Sequence, residues 1–108
     1  MRIGMKTEII IFAETREGAA NWWKEDLLRF SQYGKPEAKK QQLVIITPTC
    51  RIRYISRQSR AEGLRADLVW GVGEDERKIF MCRSKYKKED CTMENIRNII
   101  IDGFKKGR

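Results

Sequence analysis

Not one histidine occurs among the 108 residues. Without it the chain has no imidazole general base, no Ser-His or Cys-His nucleophile pair, and little with which to build a zinc site. Cysteine is sparse. Cys50, Cys82 and Cys91 are an odd number without framework or CxxC spacing, so a reduced, intracellular chain is expected, with the cytoplasm as its location. The longest unbroken apolar runs, 9–13 and 43–46, fall far short of the ~20 residues that cross a bilayer. The amino-terminal stretch shows neither an apolar h-region nor a cleavage site, so no secretory signal is expected.

A glycine-rich phosphate cradle is also missing. The one Lys-Ser/Thr pair is Lys6-Thr7, where Met5 stands in place of the required glycine and the pair precedes the first strand when it should follow it. Residues 15–18 make too short a turn and set Glu17 beside the would-be phosphate. Nucleotide hydrolysis by this chain alone is not expected, and no cofactor or metal is.

What is present in excess is positive charge: 23 Lys and Arg against 15 Asp and Glu, a net +8, with a pI of about 9.7. The excess is local. Residues 1–34 are balanced, and 66–76 hold only Asp67, Glu74, Asp75 and Glu76. Residues 51–65 and 77–108 carry the surplus.

Length and a 41% hydrophobic fraction fit one domain spanning 1–108. Three consecutive isoleucines in 7–13 predict a strand buried on both faces. A helix is expected over 17–31, with Ala20, Trp23, Leu27 and Phe30 as its apolar face, widened by Ala19, Trp22 and Leu28. Residues 33–42 read as a connecting loop. Residues 43–47 and 51–56 read as a β-hairpin turning at Pro48, and 58–63 as a single helical turn. Two further strands, 66–72 and 78–82, are expected to pair antiparallel across an acidic turn. Thr92 caps a last helix over 93–106 whose stripe is Met93, Ile96, Ile100 and Phe104. The expected fold is therefore α/β, a small mixed sheet of about five strands with two packing helices, in the order β-α-β-β-β-β-α.

Three stretches go further than composition. Residues 9–31 (IIIFAETREGAANWWKEDLLRFS), 44–56 (VIITPTCRIRYIS) and 60–70 (RAEGLRADLVW) occur in that order. They resemble the region between the P-loop helix and the Walker B strand in terminase large subunits of tailed bacteriophages. In that family the last strand ends in an Asp-Glu pair; here Val72 and Gly73 stand there, and Glu74 comes one residue late. The resemblance thus implies a phage-derived relative without ATPase chemistry. Residues 67–70, the acidic turn and 78–85 also resemble the core hairpin of PD-(D/E)xK nucleases, with Asp67 as the first metal ligand and Lys85 as the lysine. Arg83 occupies the place of the second acid and would repel a cation. That likeness implies an inactive nuclease relative.

The remaining positive feature is a basic surface. Arg51, Arg53 and Arg57 alternate along one strand face at intervals of about 6.5–7 Å, a spacing suited to successive phosphates. Arg60 and Arg65 follow, and Arg83, Lys85, Lys87 and Lys88 surround Tyr86, an aromatic able to stack on a base. An exposed strand kept soluble by charge would carry the same arginines. The expected function is a non-enzymatic basic protein that engages nucleic acid or a nucleoprotein complex through these residues. The alternatives are the degenerate nuclease and a small inhibitor or accessory factor that meets an acidic protein, with Trp22 as its contact.

Overall fold

Ile9, Ile10, Ile11 and Phe12 leave β1 (Thr7–Ala13) no polar face to turn toward water, and the strand lies inside the sheet with all four side chains buried. A computed structural model describes residues 6–57 and 64–106. The predicted turn at 58–63, with Arg60 in it, lies outside the described residues. From β1 the chain enters α1 (Arg16–Phe30), where the Thr15 hydroxyl accepts from the Gly18 N–H at 3.0 Å. Three strands follow: β2 (Glu37–Lys39), β3 (Val44–Ile46) and β4 (Cys50–Ser56). Then come β5 (Leu68–Trp70), α2 (Glu74–Phe80), a 3-10 turn at Lys88–Asp90, and α3 (Met93–Lys106).

The strands form one mixed sheet in the order β2-β3-β4-β1-β5. β1 pairs in parallel with β4 on one side and β5 on the other. β3 runs antiparallel to β4, placing Val44 opposite Arg53 and Ile46 opposite Arg51, so the predicted hairpin is present. On one face Ile9, Ile11, Ile52, Tyr54 and Leu68 pack against Trp23 and Phe30 of α1 and against Ile96, Ile100 and Phe104 of α3. On the other, Ile10, Phe12, Ala66 and Val69 are covered by Leu64, Phe80 and Met81. Both expected helices therefore lie on the same face. Among the described residues, α2 is the helix on the opposite face, set over β1 and β5.

The expected mixed α/β sheet is present with a different fifth strand. Residues 78–82 do not form a strand beside 66–72; Lys78 to Phe80 belong to α2, and β5 pairs in parallel with β1. Glu74, Asp75 and Glu76 in the first turn of α2, with Arg77 and Lys78 in its last, match a helix dipole. The acidic stretch is thus a helix start, and the nuclease-like antiparallel hairpin is not formed. The missing strand is made up by β2, whose three exposed residues pair only through their backbone with β3 at the sheet edge. A strand with no buried side chain has no hydrophobic pattern to reveal it.

The buried face of α1 is also rotated from expectation. Ala19, Trp23, Asp26 and Phe30 are buried, whereas Leu28 is 74% exposed. Asp26 takes the inward position because its carboxylate has partners there. It accepts from the Tyr54 hydroxyl at 2.8 Å and forms an ion pair with Arg29. Burial pushes the Asp26 carboxyl above its usual range, opposed by the Tyr54 bond and the Arg29 and Arg97 charges. Burial and the Asp26 charge together push the Tyr54 phenol well up.

Candidate functional site

β4 alternates as the sequence predicts: Cys50, Ile52, Tyr54 and Ser56 are buried, and Arg51, Arg53 and Ile55 point to the face that α2 only partly covers. Alternation puts the arginines in line, but their neighbours decide which are available. Arg51 meets Glu8, its register partner on β1, at 3.0 Å. Arg53 makes no ion pair among the described residues. Arg57 lies just past the strand at its carboxyl end, where it pairs with Glu14 at 3.2 Å and donates to the Gly71 carbonyl at 2.9 Å. Arg57 therefore ties strand ends together and does not extend the Arg51–Arg53 line.

Two concavities flank that line. A groove of about 390 Å³ runs over β2, β3 and β4, with Val44, Ile46, Ile55 and Leu64 between the side chains of Lys39, Arg51 and Arg53. Among the described residues no acidic side chain lines it. Next to it, at the amino-terminal ends of the three parallel strands, is a cleft of about 410 Å³ bounded by Lys6, Glu8, Arg51, Arg65, Asp67, Phe80, Arg83 and Ser84. Arg51 borders both, so the two join. Among the described residues they together carry six basic and two acidic side chains, a surplus of four positive charges.

The cleft brings together Arg51, Arg65 and Arg83, which are far apart in sequence, and adds Lys6, which sequence reasoning missed. Lys6 Nζ donates to the Thr47 and Pro48 carbonyls at 2.7 and 3.1 Å and is thereby held at the rim. Arg65 donates to its neighbour's carbonyl at Leu64, at 3.1 Å, and Arg83 has no ion pair among the described residues. Both acids are already engaged. Glu8 is paired with Arg51, and Asp67 Oδ2 accepts the Glu8 N–H at 2.8 Å. Ser84 Oγ donates to the Asp67 carbonyl at 2.6 Å and accepts from the Tyr86 N–H at 3.0 Å, fixing the turn that presents Arg83. Asp67 acts as a strand clamp here, and among the described residues no three His, Cys, Asp or Glu converge as metal ligands would.

The second predicted cluster separates. Lys85 Nζ sits 5.5 Å from the centre of the Tyr86 ring, which is half-buried against the core. Lys88 pairs with Glu74 at 3.0 Å, lowering the Glu74 carboxyl and raising its own ammonium. Lys87 caps the 3-10 turn, its N–H donating to Asp90 Oδ2 at 2.8 Å. Trp22 is half-buried and packs edge-on against Trp70, ring centres 5.2 Å apart, so it meets its own chain. Cys50 is buried, which pushes its thiol up, in keeping with a small apolar residue. Lys39 escaped notice because β2 itself did. The positional signal for Lys6 was its place one residue before β1, beside the cleft.

Among the described residues no helix is long and apolar enough to cross a membrane. The geometry defines a small mixed α/β protein with a basic track across one sheet face. Compared with known proteins, the chain matches no protein-family model, no curated protein and no solved structure.

Proposed function

We propose that this protein binds nucleic acid, alone or within a nucleoprotein complex, by laying a phosphate backbone along the joined groove and cleft. The observation that carries this reading is the shared border at Arg51, which turns two modest concavities into one track with four surplus positive charges. Arg suits the task because its planar fork donates two parallel hydrogen bonds to a phosphate. Five strands at the usual spacing make the track's floor about 19 Å wide, room for several phosphates. The contacts are to the backbone, so affinity is expected in the micromolar range, ~1–100 µM at physiological salt, with little sequence preference.

The reading is of a binder: the Glu8 carboxylate pairs with Arg51, and Asp67 accepts the Glu8 N–H, so both cleft acids serve the sheet and its arginine. The resemblance of three stretches to terminase large subunits supports a phage-derived origin for such a protein. Fluorescence anisotropy with single-stranded oligonucleotides of unrelated sequence tests the proposal. Arg53→Glu should weaken binding about tenfold or more on every sequence, since it removes one phosphate contact and adds a repulsion. Unchanged affinity in Arg53→Glu would overturn the track.

A further inference from the structure

We infer that the cleft is a seat for a terminal phosphomonoester, the phosphorylated end of a nucleic-acid strand whose following phosphodiesters occupy the groove. This rests on the reading of the track as a backbone site and goes beyond it by giving the strand an end. Arg51 is matched by Glu8, and among the described residues the rest of the groove is lined by the cations Lys39 and Arg53 and by no acid, which suits two singly charged diesters. Apart from the Arg51–Glu8 pair, the cleft sets Lys6, Arg65 and Arg83 against Asp67, a surplus of two gathered in one place. A phosphomonoester carries about −1.5 to −2 at pH 7, against one negative charge on a diester, so it is the group that balances this surplus.

The shape of the cleft and the orientation of its donors point the same way. A volume of about 410 Å³ falls within the range of small-ligand sites, and Phe80 gives one wall an apolar surface on which a terminal sugar or base can rest. Glu8 holds the Arg51 guanidinium at 3.0 Å while leaving donors unused, so a fixed fork points at the junction of cleft and groove. Two of the three Lys6 ammonium hydrogens go to the Thr47 and Pro48 carbonyls, which fixes the third relative to the cleft. Arg83 is exposed and has no acidic partner among the described residues, so its charge is uncommitted.

The test compares three single-stranded 12-mers of identical sequence, with a 5′-phosphate, a 3′-phosphate or no terminal phosphate, by anisotropy at pH 7.5 and pH 5.0. One phosphorylated end should bind about tenfold tighter than the unphosphorylated strand at pH 7.5, the worth of one further charge-assisted hydrogen bond. That preference should shrink below about threefold at pH 5.0, because the second phosphate ionisation lies near 6. Arg83→Ala should abolish the preference while leaving the unphosphorylated strand bound, and Lys24→Ala, on the exposed side of α1, should keep it. Equal affinity for all three strands would overturn the end-binding inference and leave the track standing. A preference that survives in Arg83→Ala would overturn the placement in the cleft, and no binding of any strand would overturn both readings.

Discussion

Replacing Asp26 with alanine removes the acceptor that the Tyr54 hydroxyl and the Arg29 guanidinium share beneath α1. Asp26 is 1% exposed and Tyr54 2%, so neither the lost carboxylate nor the orphaned hydroxyl can be replaced by bulk water. Arg29 is about one-third exposed and can turn outward. A broken buried ion pair costs about 3–5 kcal/mol, and a stranded buried hydroxyl about 1–3 kcal/mol. Because Arg29 escapes, the low end applies, about 3 kcal/mol, a large share of the stability of a small domain. In a urea titration followed by tryptophan fluorescence this moves the midpoint down by roughly 1.5 M at a slope of about 2 kcal/mol/M. Trp23 is a natural reporter, its indole N–H donating to the Val44 carbonyl at 3.1 Å close to the site.

Asp26→Asn separates charge from shape. Burial raises the folded-state pKa of Asp26 above its unfolded value of 3.8, so between those two values the native state binds more protons than the unfolded one. The contribution of Asp26 is therefore fully present below pH 3.8 and is lost as pH rises through the raised value. Wild type should gain stability relative to Asp26→Asn as pH falls from neutral toward 4, and at pH 7 the asparagine should cost far less than the alanine. Parallel pH profiles for the two proteins, or an alanine variant that loses less than about 1 kcal/mol, would refute this account of the buried carboxylate.

Three more outcomes follow from single contacts. A glycine-to-alanine change inside a helix normally stabilises by about 1 kcal/mol. At Gly103 of α3 a Cβ would sit 1.8 Å from Thr49 Oγ1, so Gly103→Ala should instead lower the thermal midpoint, and adding Thr49→Ala should recover much of the loss. Trp22→Ala should destabilise by about 2 kcal/mol through loss of its burial and its contact with Trp70; an unchanged urea midpoint would return Trp22 to the role of partner contact. Arg57→Ala should leave oligonucleotide affinity unchanged, because its guanidinium is committed to Glu14 and the Gly71 carbonyl at the far end of the strands.

Elements with a one-sided or two-sided apolar pattern were legible. β1 announced itself through three isoleucines, the β3–β4 hairpin through Pro48 between apolar runs, and α3 through Ile96, Ile100 and Phe104 behind the Thr92 cap, whose hydroxyl accepts the Asn95 N–H at 3.1 Å. Elements fixed by polar or backbone forces were not. β2 has only ladder hydrogen bonds, α2 is set by charge against its dipole, and the inward turn of Asp26 depends on Tyr54, twenty-eight residues away. The same division runs through the site. Arg51 and Arg53 could be placed on one face by the period of a strand. The convergence of Lys6, Arg65 and Arg83 follows from the parallel pairing of β1, β4 and β5, which no local pattern encodes. In the Lys85–Lys88 stretch, Lys85 lies beside the Tyr86 ring and Lys88 pairs with Glu74, contacts that adjacency in sequence does not reveal.

Oligonucleotide binding at this sheet face should depend on salt in proportion to the phosphates it neutralises. Four surplus charges on the track, each meeting one phosphate of a single strand, predict that log K falls with log salt at a slope of about −3. Arg53→Glu should make that slope shallower by about one unit. A flat salt profile, or a steep one that Arg53→Glu leaves unchanged, would contradict the claim that this sheet face binds a phosphate backbone.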